Sequence, residues 1–423
     1  MKKVLAMVLA LTMVIALCAC GSASETASTA APAAETTEAA AETVETDEAA
    51  AEAVDASDFI VGAIYINSQN DTAGYTFQHH SGITAAMEAL GMDTATQLLI
   101  VDNVAEDYTA VCTAIDTLAG QGANIIFGIS FGYIDAMNDK AAEYPDIAFS
   151  HGTGYLSNDT NFNNYFGRIY QARYLAGIAA GMKSLELGNN NIGYVAAWNL
   201  EYAETCSGIN GFALGALSAN PDAVIHVSEI ATWGDESLER QAAETLVDTY
   251  DCCVISQHCD SAQPQIVAQE KGVYGCGYNS DMTADAPEAE LTSAIWHWDA
   301  YYKTAIEAAM ACNGDGSQFV SKMGGGAYYA GLAEGFVGLA NLTDNCADGT
   351  AEIIEKVSEL IVSGAWDVFS GVKLSYEDGE IVMTDADLLT NEGEVIVEAG
   401  GASVEDGVIT GSMNYNVAGV IAH

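Results

Sequence analysis

The stretch Cys252–Trp298 decides the expected fold: CCVISQHCDSAQPQIVAQEKGVYGCGYNSDMTADAPEAELTSAIWHW. One apolar run ends at the polar cluster 257–261 (QHCDS), a helical segment follows, and a second apolar run ends at 278–281 (YNSD). This strand–helix–strand order is typical of an α/β sheet. Because ligands of open α/β sheets bind outside the carboxyl ends of the strands, the two clusters are predicted to wall a binding cleft.

Composition and charge narrow the class of protein. The chain has 423 residues, half of them hydrophobic, which is enough for two sizeable cores. Its formal net charge of −47 at pH 7 argues against binding nucleic acid or an anionic lipid surface, because both require a basic footprint. We therefore expect no nucleic-acid partner, and most of this charge is expected to lie on a solvated surface.

The first 57 residues resemble a targeting leader and a tether. Residues 1–20 combine Lys2-Lys3 with an apolar stretch that is too short to span a bilayer, as in a signal peptide. The sequence LCACG (17–21) resembles a bacterial lipobox, which would leave Cys20 as the lipid-modified N-terminus on the outer face of the cell membrane. Residues 21–57 are an acidic, Ala/Thr/Glu-rich segment that cannot bury enough apolar area to fold.

From Asp58 onward, strands and helices alternate, and the pattern restarts at Asn191. A series that runs, stops and runs again indicates two similar lobes with parallel sheets. Between the two series, a helix over 169–183 carries small residues that would allow close packing. After residue 376 the pattern weakens, although Asp378-Gly379 indicates a hairpin turn.

Eight cysteines follow the leader, and they lack the paired spacing of a zinc site. Most of them fall inside predicted strands or helices, which favours small buried thiols over a disulfide framework. The alternative of a disulfide framework stays open.

Polar and aromatic residues recur just beyond the predicted strand ends. The residues selected as ligand-binding candidates are Tyr75, Ser130, Phe131, Trp198, Trp233, Gln257, Asp260, Asn279 and Asp281. Aromatic faces mixed with amides and carboxylates, without lysine or arginine, suit an uncharged planar ligand. For each aromatic, simple packing of the core or an interface is the alternative interpretation.

The sequence gives little support for metal binding, catalysis or the binding of nucleotide phosphates. His79-His80, His258 and His297 lack the spacing of a metal site, and we expect no metal and no cofactor. His258 and Asp260 could imitate a catalytic pair, but no G-x-S-x-G elbow accompanies them. Neither G-x-G-x-x-G after the first strand nor G-x-x-x-x-G-K-[ST] is present to bind nucleotide phosphates. We do not expect an enzyme.

The order of motifs resembles the basic membrane lipoprotein family of ABC-importer substrate-binding proteins, which includes purine-nucleoside receptors. The resemblance covers roughly Phe59–Leu374. It is carried by FGISFGYIDAM, YFGRIYQARYLAGIAAG, NIGYVAAW, INGFALGA, ATWGD and QHCDSAQPQIVAQEKGVYGCGYNSDM. It implies a type I periplasmic-binding-protein fold, in which two Rossmann-like lobes with parallel sheets are joined by a three-segment hinge and close on a ligand.

On this resemblance, lobe 1 is expected at 58–166 plus 293–318, lobe 2 at 167–292 plus 319–375, and a C-terminal extension with a hairpin at 376–423. The hinge crossings are expected near 163–168, 290–296 and 319–324. Asp281 matches the family's ligand-facing carboxylate and Tyr75 its stacking aromatic. The family's nucleoside binders carry an aromatic just before a G-F-x-x-G stretch, whereas this chain has Gly208-Ile209-Asn210 there, so base versus nucleoside stays open.

The function expected from the sequence is therefore capture of a purine, as a base or nucleoside, by a monomeric lipid-anchored protein that hands it to an ABC permease. Riboflavin, another heterocycle or a sugar is an alternative ligand on the same scaffold. A sensor that docks to a membrane receptor is an alternative of another class, and a hydrolase is the least favoured.

Overall fold

The computed structural model describes residues 56–423 except Ala73 and Asp378, and the side chains of Ala56 and Glu377 are also outside the description. The predicted signal peptide, Cys20 and nearly all of the tether lie outside the described residues. All described residues belong to one compact unit, Ala51–His423. None of the described helices has the length and apolar character needed to cross a bilayer.

The first sheet is built from the first α/β series. Its strands are β1 (Val61–Tyr65), β2 (Leu98–Val101), β3 (Ile125–Ile129), β4 (Ala148–Gly152) and β5 (Phe162–Gly167), with α1 (Gly74–Ala89), α2 (Thr94–Gln97), α3 (Tyr108–Gly120) and α4 (Ile134–Glu143) between them. Strand β1 is buried along its whole length because helices cover both faces of the sheet. Val61, Ala63 and Tyr65 enter the core under α1, whereas Ile64 enters the core under α3 and α4.

The second sheet repeats the scheme. Its elements are α5 (Ile169–Leu187), β6 (Asn191–Ala196), α6 (Ala203–Ala219), β7 (Val224–Glu229), α7 (Glu236–Tyr250), β8 (Val254–His258), α8 (Gln263–Lys271), β9 (Tyr274–Asn279) and β10 (Glu290–Trp296). The sheet orders are β11-β5-β4-β3-β1-β2 and β12-β10-β9-β8-β6-β7-β17, with β11, β12 and β17 defined below.

Both sheets thus share one core order, in which the second strand lies outside the first and the third lies on the other side. Within these two sheets of the described chain, every pair of neighbouring strands is parallel except β10 with β12. Successive strands are added on one side of the first strand and then on the other. This change in strand order falls between β1 and β3 in the first sheet and between β6 and β8 in the second. This duplicated architecture confirms the predicted type I periplasmic-binding-protein fold.

Helices α5 and α6 form the buried centre of the second lobe. A Cβ on Gly177 of α5 would lie 2.1 Å from the Phe212 carbonyl oxygen, and one on Gly215 of α6 would lie 1.9 Å from that of Tyr174. The backbones approach so closely that no side chain fits between them. The small residues predicted to allow close packing of the 169–183 helix serve this purpose.

The chain then crosses between the lobes again. Helix α9 (Trp298–Met310) packs on α1, and α10 (Phe319–Met323) leads into β11 (Ala327–Ala330), which pairs with β5. Strand β12 (Val337–Leu339) then pairs with β10 in the second sheet.

The sheet pairings shift the expected boundaries. Residues 293–296 lie in the second sheet and 327–330 in the first, so the chain crosses at about 167–169, 297–298 and 331–336. The expected third crossing at 319–324 is instead α10. Strand β11 is a short edge strand with the sequence AYYA, and its neighbour β5 has the sequence FNNYFG. Neither is a continuous aliphatic run of the kind that marks a strand buried on both faces of a parallel sheet.

The C-terminal part joins the second lobe. It contains α11 (Thr350–Val362), the antiparallel hairpin β13 (Val372–Glu377) and β14 (Glu380–Asp385), β15 (Leu388–Leu389), β16 (Val395–Val397), α12 (Asp406–Gly411) and β17 (Val420–Ala422). The hairpin agrees with the Asp378-Gly379 turn signal, and β17 pairs with β7 as a parallel edge strand. The eight cysteines from Cys112 to Cys346 are free thiols, and six of them are buried.

Candidate ligand-binding cleft

A cavity of about 200 Å³ lies between the lobes, at the carboxyl ends of their strands. It lies beside the point in each sheet where the strand order reverses, which is the position at which open α/β sheets bind ligands. Its lining residues are Ile66, Asn67, Tyr75, Ser130, Phe131, Thr153, Glu204, Thr232, Trp233, Gly234, His258, Asp260, Tyr278 and Asn279. None of the lining side chains in the described part of the chain is a lysine or an arginine.

The wall from the first lobe is fixed by Glu106. Its Oε1 accepts hydrogen bonds from the Ser130 hydroxyl (2.5 Å) and the Gly132 N–H (2.8 Å), which orients the turn that carries Phe131. Thr153, after β4, has a φ of 65°. A β-branched residue rarely adopts this left-handed conformation, so the strain is concentrated beside the cavity.

The wall from the second lobe is aromatic. The rings of Trp233 and His258 have centroids 6.5 Å apart, and those of His258 and Tyr278 are 4.5 Å apart. Tyr202 links the lobes at the rim of the cavity, since its ring lies 5.2 Å from Trp233 and 5.7 Å, edge to face, from Phe131 of the first lobe. A flat ring would find stacking faces on both sides of this cleft.

Two carboxyl groups face the cavity. Burial raises the pKa of Asp260 to about 8, and repulsion from Glu239 and Glu204 adds to the effect. Burial likewise raises the pKa of Glu204 to about 7, although the charge of Arg173 opposes the shift. The Glu204 side chain is 17% exposed, and it lines the cavity. Both groups can therefore accept or donate a hydrogen bond near neutral pH, depending on their proton.

A buried cation lies behind this wall. Arg173 of α5 is 1% exposed, its guanidinium carbon lies 3.6 Å from the centroid of the Tyr278 ring, and its Nη1 donates to the Gln257 carbonyl oxygen. Its Nε and Nη2 have no hydrogen-bond partner among the described residues. Burial and the Arg173 charge together hold the pKa of His258 well below its usual range, so the imidazole is neutral.

The cavity also contains unpaired acceptors and donors. Asn279 Oδ1 and His258 Nδ1 are buried without a hydrogen-bond partner in the described part of the protein. Leaving such atoms unpaired costs roughly 1–3 kcal/mol each. A polar ligand that reached both atoms would recover this free energy.

The lobes touch across the cleft at α1. Gly74 has a φ of 81°, and a Cβ there would lie 2.2 Å from the Asp260 carbonyl oxygen. The Tyr75 backbone N–H at the start of α1 also lies near the Asp260 carboxyl group and opposes the rise of its pKa. The structure therefore shows the two lobes in their closed arrangement.

Six of the nine candidates predicted from sequence line the cavity: Tyr75, Ser130, Phe131, Trp233, Asp260 and Asn279. Trp198 does not line the cavity, and the centroid of its ring lies 5.4 Å from that of Tyr202. Gln257 is fully buried, and its Nε2 donates to the carbonyl oxygens of Cys259 (3.2 Å) and Ser261 (2.6 Å), so it shapes the turn that presents Asp260.

Asp281 is not brought to the cavity, contrary to the role implied by the family resemblance. It is exposed, its Oδ1 accepts from the Thr283 N–H (2.9 Å), and it lies in a separate depression beside α1 and α9. The physical reason lies two residues earlier, because Asn279 adopts a left-handed conformation (φ 68°) that turns the chain away from the cleft.

Glu204, His258, Tyr278, Asn67 and Thr153 line the cavity without being among the predicted candidates. His258 and Tyr278 belong to the polar clusters that end β8 and β9, so strand-end position could have identified them. Glu204 lies in the first turn of α6, where an acidic residue is also expected simply to favour the helix N-terminus. No sequence signal separates these two roles.

A second chamber of about 470 Å³ adjoins the cavity and shares Phe131, Thr153 and Glu204 with it. Its walls come from the first lobe (including Tyr155 and Tyr329), from the second lobe (including Tyr202) and from α12. The cleft is therefore larger than the cavity alone, and residues of the C-terminal segment reach it.

Comparison with known proteins agrees with this geometry. Residues 59–368 match the family model described as ABC transporter substrate-binding protein PnrA-like. A purine-binding protein of Brucella abortus (strain 2308) is 33% identical over 85% of this chain and 92% of its own length. A Haloferax volcanii protein, provisionally named an ABC transporter glucose-binding protein, is 35% identical over 64% of this chain and 66% of its own length.

Among solved structures, the solute-binding protein of an ABC transporter system from Aeropyrum pernix K1 superposes with a TM-score of 0.60. Its identity is 15%, and the match covers 76% of this chain and 94% of that one. At this identity the likeness supports the fold alone.

Two duplicated lobes closed over a cavity define a periplasmic-binding protein of type I, a class that captures small molecules by lobe closure. The chain belongs to the family of PnrA-like ABC transporter substrate-binding proteins, which confirms the resemblance seen in its motifs. Members act outside the cytoplasm, bind a small molecule and deliver it to a permease. The family and the fold are those of binding proteins rather than enzymes.

Proposed function

We propose that this protein captures a purine, as a free base or a nucleoside, and delivers it to an ABC importer. The observation that carries the proposal is the combination of aromatic walls with two carboxyl groups in one cavity. Phe131, Trp233 and Tyr75 offer faces or edges to a planar ring. Asp260 and Glu204 can accept from ring or exocyclic N–H groups, and the neutral His258 and Asn279 supply further polar atoms.

The similarity to a purine-binding protein supports the same ligand class. Stacking of a base on an aromatic side chain contributes about 1–3 kcal/mol, and hydrogen bonds to buried carboxylates add orientation. The cavity wall, without lysine or arginine among its described residues, disfavours a phosphorylated ligand.

Calorimetric titration of the soluble unit Ala51–His423 tests the proposal. We expect tight binding of at least one of adenine, guanine, hypoxanthine, adenosine and guanosine, and weak binding of riboflavin and ribose. A preference for bases or for nucleosides would decide between the two purine classes. Failure of all five purines to bind would contradict the proposal while leaving the fold unchanged.

A sugar is the second candidate, because a relative at 35% identity is named for glucose binding. Aromatic faces and carboxyl groups also suit a pyranose. Glucose therefore belongs in the same titration, and tight glucose binding without purine binding would replace the leading proposal.

For anchoring, we propose that Cys20 becomes the lipid-modified N-terminus and that the protein works as a monomer beside its permease. The support is the lipobox-like sequence at 17–21 and the acidic segment that follows it. Labelling cells with a radioactive fatty acid tests the anchor, since the wild-type chain should incorporate label and Cys20→Ala should not. Light scattering of the soluble unit tests the monomer.

A further inference from the structure

The C-terminal segment lies beyond the residues that match the family, yet it is built into the second lobe. Ile409, Met413 and Val417 are buried against α6. Asn210 of α6 donates from Nδ2 to the Tyr415 carbonyl oxygen (2.7 Å) and accepts from the Val417 N–H (3.0 Å). Helix α12 is therefore fixed to the second lobe.

Arg168 occupies the first crossing, between β5 of the first lobe and α5 of the second. The backbone N–H of Arg168 donates to the Ala330 carbonyl oxygen (2.8 Å). At Ala330, β11 leaves the first sheet for the third crossing. The guanidinium carbon of Arg168 lies 5.2 Å from the centroid of the Tyr329 ring on β11. A single residue thus contacts two of the three segments that join the lobes.

Asp406, the first residue of α12, binds this arginine with both carboxylate oxygens. Arg168 Nε lies 3.2 and 3.1 Å from the two oxygens, and Nη2 lies 2.7 Å from Oδ2. The Tyr170 hydroxyl donates to the same carboxylate at 3.4 Å, and Glu334 of the third crossing lies 3.8 Å from Nη1. The two side chains of the pair are 26% and 36% exposed, so water screens the interaction only in part.

We propose that Asp406 is a positioning residue for ligand capture: it holds Arg168 against the first and third crossings and so stabilises the closed arrangement of the lobes. Opening rotates the backbone at the crossings, whereas α12 stays with the second lobe. The Arg168–Asp406 pair and the Arg168–Tyr329 stacking then cannot both keep their geometry. Asp406 also lines the chamber between the lobes, where such a rotation separates the walls most directly.

The inference rests on the proposed function only in requiring closure on a small molecule, so its test does not depend on the purine assignment. Asp406→Asn, Asp406→Glu and Arg168→Lys are made in the soluble unit Ala51–His423. Asp248→Asn is the matched control, because it breaks a surface ion pair with Lys271 (2.7 Å) far from the crossings. Small-angle scattering gives the radius of gyration without ligand, and stopped-flow fluorescence gives the adenine dissociation rate.

Asp406→Asn and Arg168→Lys should each increase the radius of gyration without ligand and speed adenine dissociation about fivefold, as loss of a half-buried bidentate pair predicts. Asp406→Glu should restore most of both properties, and Asp248→Asn should resemble the wild type. If Asp406→Asn and Arg168→Lys both match Asp248→Asn in both measurements, the proposal is wrong. If wild type binds no adenine, the dissociation rate is measured with whichever of the five purines binds in the titration. If none of the five binds, the purine proposal fails, and the radii of the unliganded proteins alone decide the role of Asp406.

Discussion

At the scale of single residues, the cleft depends on which strand-end side chains turn inward. Asp260 and Asp281 both follow strands of the second sheet, and sequence alone treats them alike. The structure buries Asp260 between the lobes and leaves Asp281 in solvent. The difference comes from a single residue conformation, the positive φ of Asn279.

Asp260→Ala should weaken adenine binding about tenfold or more, because a ring N–H would lose its acceptor in a buried site. Asp281→Ala is the matched control and should stay within about twofold of wild type, since its carboxylate is exposed and accepts a local hydrogen bond from the Thr283 N–H. Titration calorimetry measures both. A large loss in Asp281→Ala with none in Asp260→Ala would reverse the two assignments.

The same carboxyl groups predict a pH dependence. The folded protein holds protons on Asp260 and Glu204 up to pH values of about 8 and 7, whereas the unfolded chain has lost them by about pH 6. The folded state therefore binds more protons in this range, and its stability falls as pH rises. His258, with a lowered pKa, has the opposite effect below about pH 6.5, so the window to examine is pH 7 to 9.

Across that window, calorimetric melting of the unliganded protein should show Tm falling by about 2–4 °C. Asp260→Asn should reduce the decline, because its side chain cannot ionise, while Asp281→Asn should leave the decline unchanged. A Tm that is constant or rises from pH 7 to 9 would contradict the buried, protonated state of these groups.

At the scale of elements, the N-terminus of α1 is where the two lobes meet. Gly74 leaves no room for a Cβ against the Asp260 carbonyl oxygen. The sequence did not predict that Gly74 contacts a turn 186 positions later in the chain.

Gly74→Ala should weaken adenine binding about tenfold or more, because the new methyl group collides with the second lobe on closure. Gly91→Ala is the control, since Gly91 has a similar φ of 73° but no atom within 4 Å of its would-be Cβ among the described residues. Both substitutions incur the same backbone strain, so a difference between their dissociation constants isolates the collision. Equal dissociation constants for the two variants would show that Gly74 does not contact the second lobe when the lobes close.

At the scale of the whole molecule, the C-terminal segment completes the second lobe. Val417 is fully buried against α6, whereas Val408, in the same segment, is 41% exposed. Strand β17 extends the second sheet beyond β7. The segment therefore belongs to the core of the lobe and is not an appendage to it.

Val417→Ala should lower the free energy of unfolding by about 2 kcal/mol, because it leaves a cavity in a packed core. Val408→Ala should change it by less than about 0.5 kcal/mol, as is usual at an exposed site. Urea unfolding, followed by circular dichroism, measures both. Equal effects would mean that the segment is not packed as described.

Much of this protein follows from its sequence. The alternating apolar runs predict the strands and helices of both lobes, because burial on both faces of a parallel sheet requires continuous hydrophobic strands. The clusters QHCDS and YNSD mark the cleft, because parallel strands deliver their carboxyl ends to one edge of a sheet. The motif order also predicts the family.

The remaining features depend on contacts that form only when the chain folds. Folding brought Glu204 beside Asp260 and Arg173 behind Tyr278, placed β11 in the first sheet, and seated Asp406 on the hinge. Local sequence sets which residues form an element, since helix and strand periodicities are short-range. Which side chain faces the cavity depends instead on the backbone conformation of a single residue, on strand register and on lobe closure. These are determined by contacts between residues far apart in the chain.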